Sequence, residues 1–438
     1  MLPVINKRAI ELGILVGLAL NCEIAPVNVF ARKSYFYPDL PKGFQISQYD
    51  LPLAVNGYLD INTGGDSKRV RIRRVHLEED TGKLIHARNA SASLVDLNRA
   101  GVPLLEIVSE PDMLSVDEVR AYATQLHAIL RYLGVNSGDM EKGVIRFEAN
   151  VSVRAVGTDV LNTRTEIKNL NSFRALTRSV EYEIARHSQI YKAGGSVEQQ
   201  TLGWNEAKGE TVSQRSKELA EDYRYFPEPD LPPLQIEREW VEKIRAELPE
   251  LPAARKQRLL DAGLNNYDAG VLVAEPTVAA FFDQAVQAGT SAEPNVEPKS
   301  IANWLTSQLF GLINDAEIDL ESVPVTPSAL VELIRIVEGG QINATSGRDV
   351  LREMVESGAA PADVIRAHGL QQVSDEAPIA AAVQQVLADN PEQVEQYLAG
   401  KDTLSNWFFG QVMRSMRGQS NPQVVRLLLE EALQQLSS

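Results

Sequence analysis

Residues 58–80 read Tyr58-Leu59-Asp60-Ile61-Asn62-Thr63-Gly64-Gly65-Asp66-Ser67-Lys68-Arg69-Val70-Arg71-Ile72-Arg73-Arg74-Val75-His76-Leu77-Glu78-Glu79-Asp80. Apolar and polar side chains alternate over Tyr58–Ile61 and again over Arg69–His76. That is the period of a strand with one buried face. Thr63-Gly64-Gly65-Asp66 between them supplies turn chemistry, so the stretch predicts a β-hairpin. The second strand, expected to end at His76, delivers that histidine and three consecutive carboxylates, Glu78, Glu79 and Asp80, to one place. Clustered carboxylates repel one another, and burying them requires a cation. Hard oxygen ligands suit Mg²⁺, which takes one or two carboxylates together with phosphates and water. The plainer alternative is a solvated acidic turn.

A second carboxylate points the same way. Glu106 interrupts an apolar run, with Leu104 and Leu105 before it and Ile107 and Val108 after. On a strand it would be forced to find a partner, a metal or an arginine, unless it faces solvent on an edge. A third stretch, Arg146-Phe147-Glu148-Ala149-Asn150-Val151-Ser152, is polar on one face and apolar on the other at period two. Glu166 and Lys168 share a face in the strand candidate that follows. Such mixed-sign faces are either solvated or line a site for phosphate and carboxylate groups. Aromatic loops at Tyr35-Phe36-Tyr37-Pro38 and Tyr223–Pro229 read most simply as stiff packing segments.

Working outward, three regions differ in texture. Residues 1–246 hold the strand candidates with interleaved helices, among them 117–133 after Ser115 as N-cap and 173–193. Residues 247–324 are helical, with 300–313 expected as one helix carrying Trp304, Leu305, Leu309 and Leu312 on its core face. Residues 325–438 form a unit of short amphipathic helices with glycines at their ends. The fold class expected is α+β: a β-rich cradle domain followed by two all-helical domains. The apolar run Ile14–Leu20 is far short of the ~20 residues of a membrane span, and it reads as a buried helix. No membrane partner is expected, and the single cysteine, Cys22, fits the reducing cytoplasm.

The chain has 43 basic and 59 acidic side chains, a formal charge of −16. Residues 1–250 carry 31 basic and 35 acidic, residues 251–438 carry 12 and 24. That balance is a poor start for a nucleic-acid protein, because phosphate neutralisation needs Lys and Arg. One strip runs against it: Lys401, Arg414, Arg417 and Arg426 are accompanied by a single acidic residue, Asp402. There is no Gly-x-x-x-x-Gly-Lys-Ser/Thr loop and no Gly-x-Gly-x-x-Gly, which excludes a P-loop NTPase or a simple dinucleotide binder.

Several of these motifs occur in one order: Tyr35-Phe36-Tyr37-Pro38-Asp39, Gln45-Ile46-Ser47-Gln48, His76-Leu77-Glu78-Glu79-Asp80, Glu106–Asp112, Lys168-Asn169-Leu170-Asn171-Ser172 and Phe409-Gly410-Gln411-Val412-Met413. In this the chain closely resembles the B subunits of tRNA-dependent amidotransferases, from Leu2 to its C-terminus. The resemblance implies an ATP-dependent carbon–nitrogen ligase subunit. It would phosphorylate the side-chain carboxylate of Glu-tRNA(Gln), Asp-tRNA(Asn) or both, then form the amide. Ammonia would come from glutamine through an A subunit, with a C subunit completing the complex, and ATP and Mg²⁺ as cofactors. Glu79 and Glu106 are the foremost metal candidates, with Glu78 and His76 next. Lys33, Arg146, Glu148, Asn150, Glu166 and Lys168 are candidates for the acceptor or phosphate site. Lys401, Arg414, Arg417 and Arg426 are the strip expected to meet the tRNA. Members of the family usually start with a further stretch that includes a Glu-x-His strand. A chain lacking it is expected to have an incomplete metal site, and a tRNA-binding scaffold without chemistry is the alternative.

Overall fold

The computed structural model describes residues 3–85, 92–216, 223–370, 376–416 and 420–437. The chain divides into two compact units, Met1–Ala254 and Arg255–Ser438. The first begins with α1 (Lys7–Ala19), β1 (Glu23–Ile24), β2 (Val27–Asn28), β3 (Ala31–Ser34) and β4 (Phe44–Ser47). The hairpin β5 (Ala54–Thr63) and β6 (Asp66–Glu79) follows, then β7 (Lys83–Ile85), β8 (Leu94–Asp96), β9 (Pro103–Ser109) and α2 (Val116–Tyr132). Next come β10 (Phe147–Val151), β11 (Thr165–Leu170), α3 (Phe173–Lys192), β12 (Gln200–Asn205), β13 (Glu210–Ser216), β14 (Phe226–Pro227), β15 (Leu234–Gln235) and α4 (Arg238–Ala246). The strands form several small sheets, chiefly β1-β5-β6-β9, β10-β11-β12-β13 and β14-β3-β4. With helices dominating the second unit, the α+β class is what the chain adopts.

The hairpin forms where the alternation predicts it. Gly64 and Gly65 both take positive φ, 75° and 140°, which an L-residue side chain would resist. Val70, Ile72, Val75 and Leu77 of β6 are buried in one core with Ile14 and Leu20 of the α1 region and Leu126 of α2. The parity of β6 changes on the way. Ile72 pairs with Ser109 of β9, yet Arg74 pairs with Val108, so one residue is inserted at Arg73. This is a β-bulge, a device that re-aims side chains next to functional sites. Beyond it, Val75 and Leu77 face the core while Arg74, His76 and Glu78 face away from it. The strand also continues past His76 to Glu79.

Gly57 of β5 lies where the α1 region crosses the sheet. A Cβ there would meet Cys22 Sγ and the Leu20 carbonyl oxygen well inside van der Waals contact. Gly57→Ala should therefore destabilise the chain by about 1–3 kcal/mol, read as a lower melting temperature. An unchanged melting curve would mean that the crossing relaxes freely.

The second unit is helical from α5 (Pro252–Asp261), which starts at the boundary, to a last helix at Pro422–Ser437. Its described residues gather in two apolar cores. One runs from Leu259 to Ile365, and so continues through the proline-flanked junction at Val323–Pro327. The other gathers Ile379, Val383, Phe408, Val412, Val425 and Leu429. The helix expected at 300–313 runs without a break but is not α-helical throughout: α-helical turns at Pro298–Asn303 and Phe310–Ala316 flank a π-helical segment, Trp304–Leu309. The wider π turn keeps Ile301, Leu305 and Leu309, spaced by four, on one fully buried line. No single helix among the described residues is long and apolar enough to cross a membrane.

Candidate functional site

β6 and β9 are antiparallel neighbours, and their register sets His76 directly across from Glu106. Period-two alternation after the bulge puts Glu78 on the same face as His76. One ligand atom from each of His76, Glu78 and Glu106 falls within 4.8 Å of the other two. His76 Nε2 is 3.6 Å from Glu106 Oε2. Ser47 of β4 donates its hydroxyl to Glu78 Oε2 at 3.2 Å, which steadies that carboxylate. His76 is 2% exposed, and its Nδ1 is buried without a hydrogen-bond partner among the described residues.

The electrostatics are those of a site short of positive charge. Burial pushes the Glu78 carboxyl up to about 7, and the nearby Glu106 adds to it. Crowding by protein lifts Glu106 as well, although 48% of its side chain is exposed; Lys33, Arg74 and Lys168 offset part of that rise. Burial drives His76 down to about 3, helped by Arg74 and Lys33. The imidazole is therefore neutral at physiological pH, the form that ligates metals. Two crowded carboxylates, a neutral imidazole and an orphaned buried nitrogen fit a divalent cation. For Mg²⁺ the two carboxylates are the natural ligands, and His76 is the weaker donor.

Glu79 does not join them. Glu78 and Glu79 lie within the extended end of β6 instead of a turn, so neighbours alternate and Glu79 leaves on the opposite side from Glu78. Its Oε1 accepts from the Ile46 amide at 3.0 Å and pairs with Lys42. Of the expected ligand candidates, the structure brings Glu78, Glu106 and His76 together and leaves Glu79 outside that group. Asp80 also has a tie of its own, holding Arg99 and Arg146 at 2.6 and 2.8 Å. Arg146 thus pairs with Asp80.

The other acceptor-site candidates share a place. Lys168 Nζ donates to both Glu148 oxygens, at 3.0 and 2.9 Å, and lies 3.6 Å from Glu166. Asn150 pairs with Glu166 across β10 and β11. The reverse side of these strands, with Val151, Ile167 and Leu170, packs against Leu176 and Val180 of α3. Lys33 on β3 sits over the rings of Tyr223 (4.9 Å) and Tyr35 (6.0 Å). The aromatic loop packs as expected: Tyr223 meets Tyr225 edge-on, and Tyr225 stacks on Tyr49 at 4.1 Å. Burial and the Glu78 carboxylate beside it both raise the Tyr225 phenol. The Arg73-Arg74 doublet breaks the alternation where the bulge forms, and Arg74 beyond it lies on the face of His76 and Glu78.

In the second unit, Lys401 and Arg414 are exposed, and Arg426 lies 4.7 Å over the Phe409 ring. Arg417 is outside the described residues.

Comparison with known proteins identifies the family. Residues 1–242 match the GatB/GatE catalytic domain, and residues 280–433 match the GatB domain. The B subunit of the aspartyl/glutamyl-tRNA(Asn/Gln) amidotransferase of Persephonella marina is 47% identical over 99% of this chain and 90% of its own length. Those of Moorella thermoacetica and Herpetosiphon aurantiacus are 48% and 50% identical over 99% of this chain, and over 90% and 88% of their own lengths. Motifs, site and comparisons converge, and the chain belongs to the family of B subunits of the tRNA-dependent amidotransferases.

Proposed function

We propose that this chain uses ATP to activate the side-chain carboxylate of Glu-tRNA(Gln), Asp-tRNA(Asn) or both, and then forms the amide. In this reading a carboxylate oxygen attacks the γ-phosphorus and ADP departs. Ammonia then attacks the acyl carbon and phosphate leaves. An A subunit releases the ammonia from glutamine, and a C subunit completes a heterotrimer working in the cytoplasm. The juxtaposition of His76, Glu78 and Glu106, with the cations Lys33 and Lys168 near them, carries the proposal. Phosphoryl transfer needs positioning and charge neutralisation more than covalent chemistry by the protein.

His76, Glu78 and Glu106 would hold a Mg²⁺ ion, which supplies positive charge to phosphoryl oxygens. Lys33, fixed by its two tyrosines, offers a second cation to the same place. Glu148, Asn150, Glu166 and Lys168 present donors and acceptors to the aminoacyl end. Glu79 serves here by tying β4 to β6 through Ile46 and Lys42. To test the reading, the chain is purified with its A and C subunits and given mischarged tRNA, ATP, Mg²⁺ and glutamine. Gln-tRNA or Asn-tRNA should form with matching release of phosphate. Phosphate release indifferent to charged tRNA would sink it.

Lys401, Arg414 and Arg426 are proposed to meet the tRNA backbone. The double change Lys401→Glu, Arg414→Glu should raise KM for the tRNA several-fold and leave kcat near its original value. The slope of log affinity against log salt should fall by roughly one for each phosphate that is no longer neutralised. An unaltered slope would clear the strip of that role.

A further inference from the structure

We propose that Arg74 is an anion-binding residue of the same recess, placed to take a phosphoryl oxygen of the nucleotide; the identity of that anion rests on the ATP-dependent reading above.

Its neighbours along β6 make Arg74 conspicuous. Arg69 forks onto Asp60 at 2.8 and 2.9 Å. Arg71 grips Asp112 at 2.9 and 2.7 Å, and Arg73 grips Glu110 at 2.9 and 2.8 Å. Lys68 donates to Glu118 at 2.7 Å. Each of these cations has its own carboxylate. Arg74 has none within ion-pair distance among the described residues, and its Nε is buried with no hydrogen-bond partner. Bulge geometry is responsible: it turns Arg74 onto the face of His76 and Glu78, away from the acidic loop that serves Arg71 and Arg73.

A buried donor left unmet is costly, and a guanidinium kept for stability would carry a partner as its neighbours do. What the geometry lacks is an oxyanion. Glu106 is the carboxylate that feels the charge of Arg74, yet it is gathered with His76 and Glu78. A cation bound among them would leave Arg74 with still less negative charge. The planar fork of arginine matches phosphate oxygens, which can accept two parallel bonds. Lys33, over Tyr223 and Tyr35, brings a second positive charge whose influence on His76 is felt together with that of Arg74.

Two variants of the full chain in its complex, Arg74→Gln and Arg74→Lys, test this with three probes. These are inorganic phosphate, a non-hydrolysable Mg-ATP analogue, and charged tRNA without nucleotide. Arg74→Gln should weaken phosphate and the analogue by on the order of 10- to 100-fold. Arg74→Lys should recover part of that loss, and tRNA affinity should stay constant. In phosphate-free buffer the melting temperature of Arg74→Gln should be no lower than that of the parent, because an unmet donor has been removed; phosphate should then raise the melting temperature of the parent only. Equal phosphate affinity in parent and Arg74→Gln overturns the proposal. So does a loss confined to tRNA. If Arg74→Gln fails to fold, Arg74→Lys decides: phosphate affinity identical to the parent overturns it. If phosphate binding depends on Arg74 while the nucleotide does not bind at all, the ATP reading fails and the anion site stands.

Discussion

Glu106→Gln, in the complex with A and C subunits, should lower tRNA-dependent phosphate release and amide formation by on the order of 100- to 1000-fold. The carboxylate lies opposite His76 in the β6–β9 register and shares the recess with Glu78. Gln keeps the shape but removes the charge that would hold a divalent cation. A cation at developing phosphoryl charge is worth several kcal/mol, and each 1.36 kcal/mol or so is a factor of ten. The variant should fold as well as the parent without added Mg²⁺, since it removes a like charge that adds to the effect of burial in lifting the Glu78 carboxyl. Raising Mg²⁺ should restore part of the activity. Glu79→Gln provides the contrast, because Glu79 bonds Lys42 and the Ile46 amide on the other side of the strand. Its effect should be small on kcat and visible mainly in stability. The reverse pattern, with Glu79→Gln inactive and Glu106→Gln active, would rule out the assignment.

Glu183→Gln should cost about 3 kcal/mol of stability. Glu183 is fully buried on α3 and accepts from Thr165 and Thr211 hydroxyls, each at 2.7 Å, and from Arg186 at 2.8 and 2.7 Å. His187 Nε2 is 3.1 Å from the same carboxylate. These bonds pin α3 to β11 and β13. The figure is the low end for a broken buried pair, because Arg186 keeps 27% of its side chain in water. Burial alone would raise the Glu183 carboxyl, but hydrogen bonds from Arg186, His187, Thr211 and Thr165 outweigh it and hold it well below the usual carboxylate range. A depressed folded value means that the stabilisation is fully present above the unfolded pKa, near 4.3. It is then lost as pH falls toward the folded value. Urea melts from pH 7 to pH 3 should show the parent losing its advantage over Glu183→Gln below about pH 5. Parallel curves for the two proteins would remove Glu183 from that role.

Much of this architecture can be read residue by residue. Ser115 and Ser172 cap α2 and α3, each accepting the backbone amide three residues on. The Gly64-Gly65 turn and the alternation around it locate the hairpin. Helix ends in the second unit follow the glycines, with Gly340, Gly369 and Gly400 left-handed as expected. Other features were not legible. The π turn at Trp304–Leu309 depends on Ile301, Leu305 and Leu309 meeting one core at once. Glu79 and Arg146 look like site residues by composition, yet Lys42 and Asp80 claim them.

By itself the sequence determined the β-rich and helical regions, the hairpin, the helix caps and the ordered motifs that mark the family. Those signals act over a turn or a few residues, where backbone preference and side-chain periodicity suffice. Only the tertiary structure decided which carboxylates belong together. The bulge at Arg73 shifts the parity of β6, and the register with β9 brings Glu106 to His76. Both are set by pairing with a partner strand and by burying Val75 and Leu77. A one-residue change in parity sends Glu78 into the recess and Glu79 out of it.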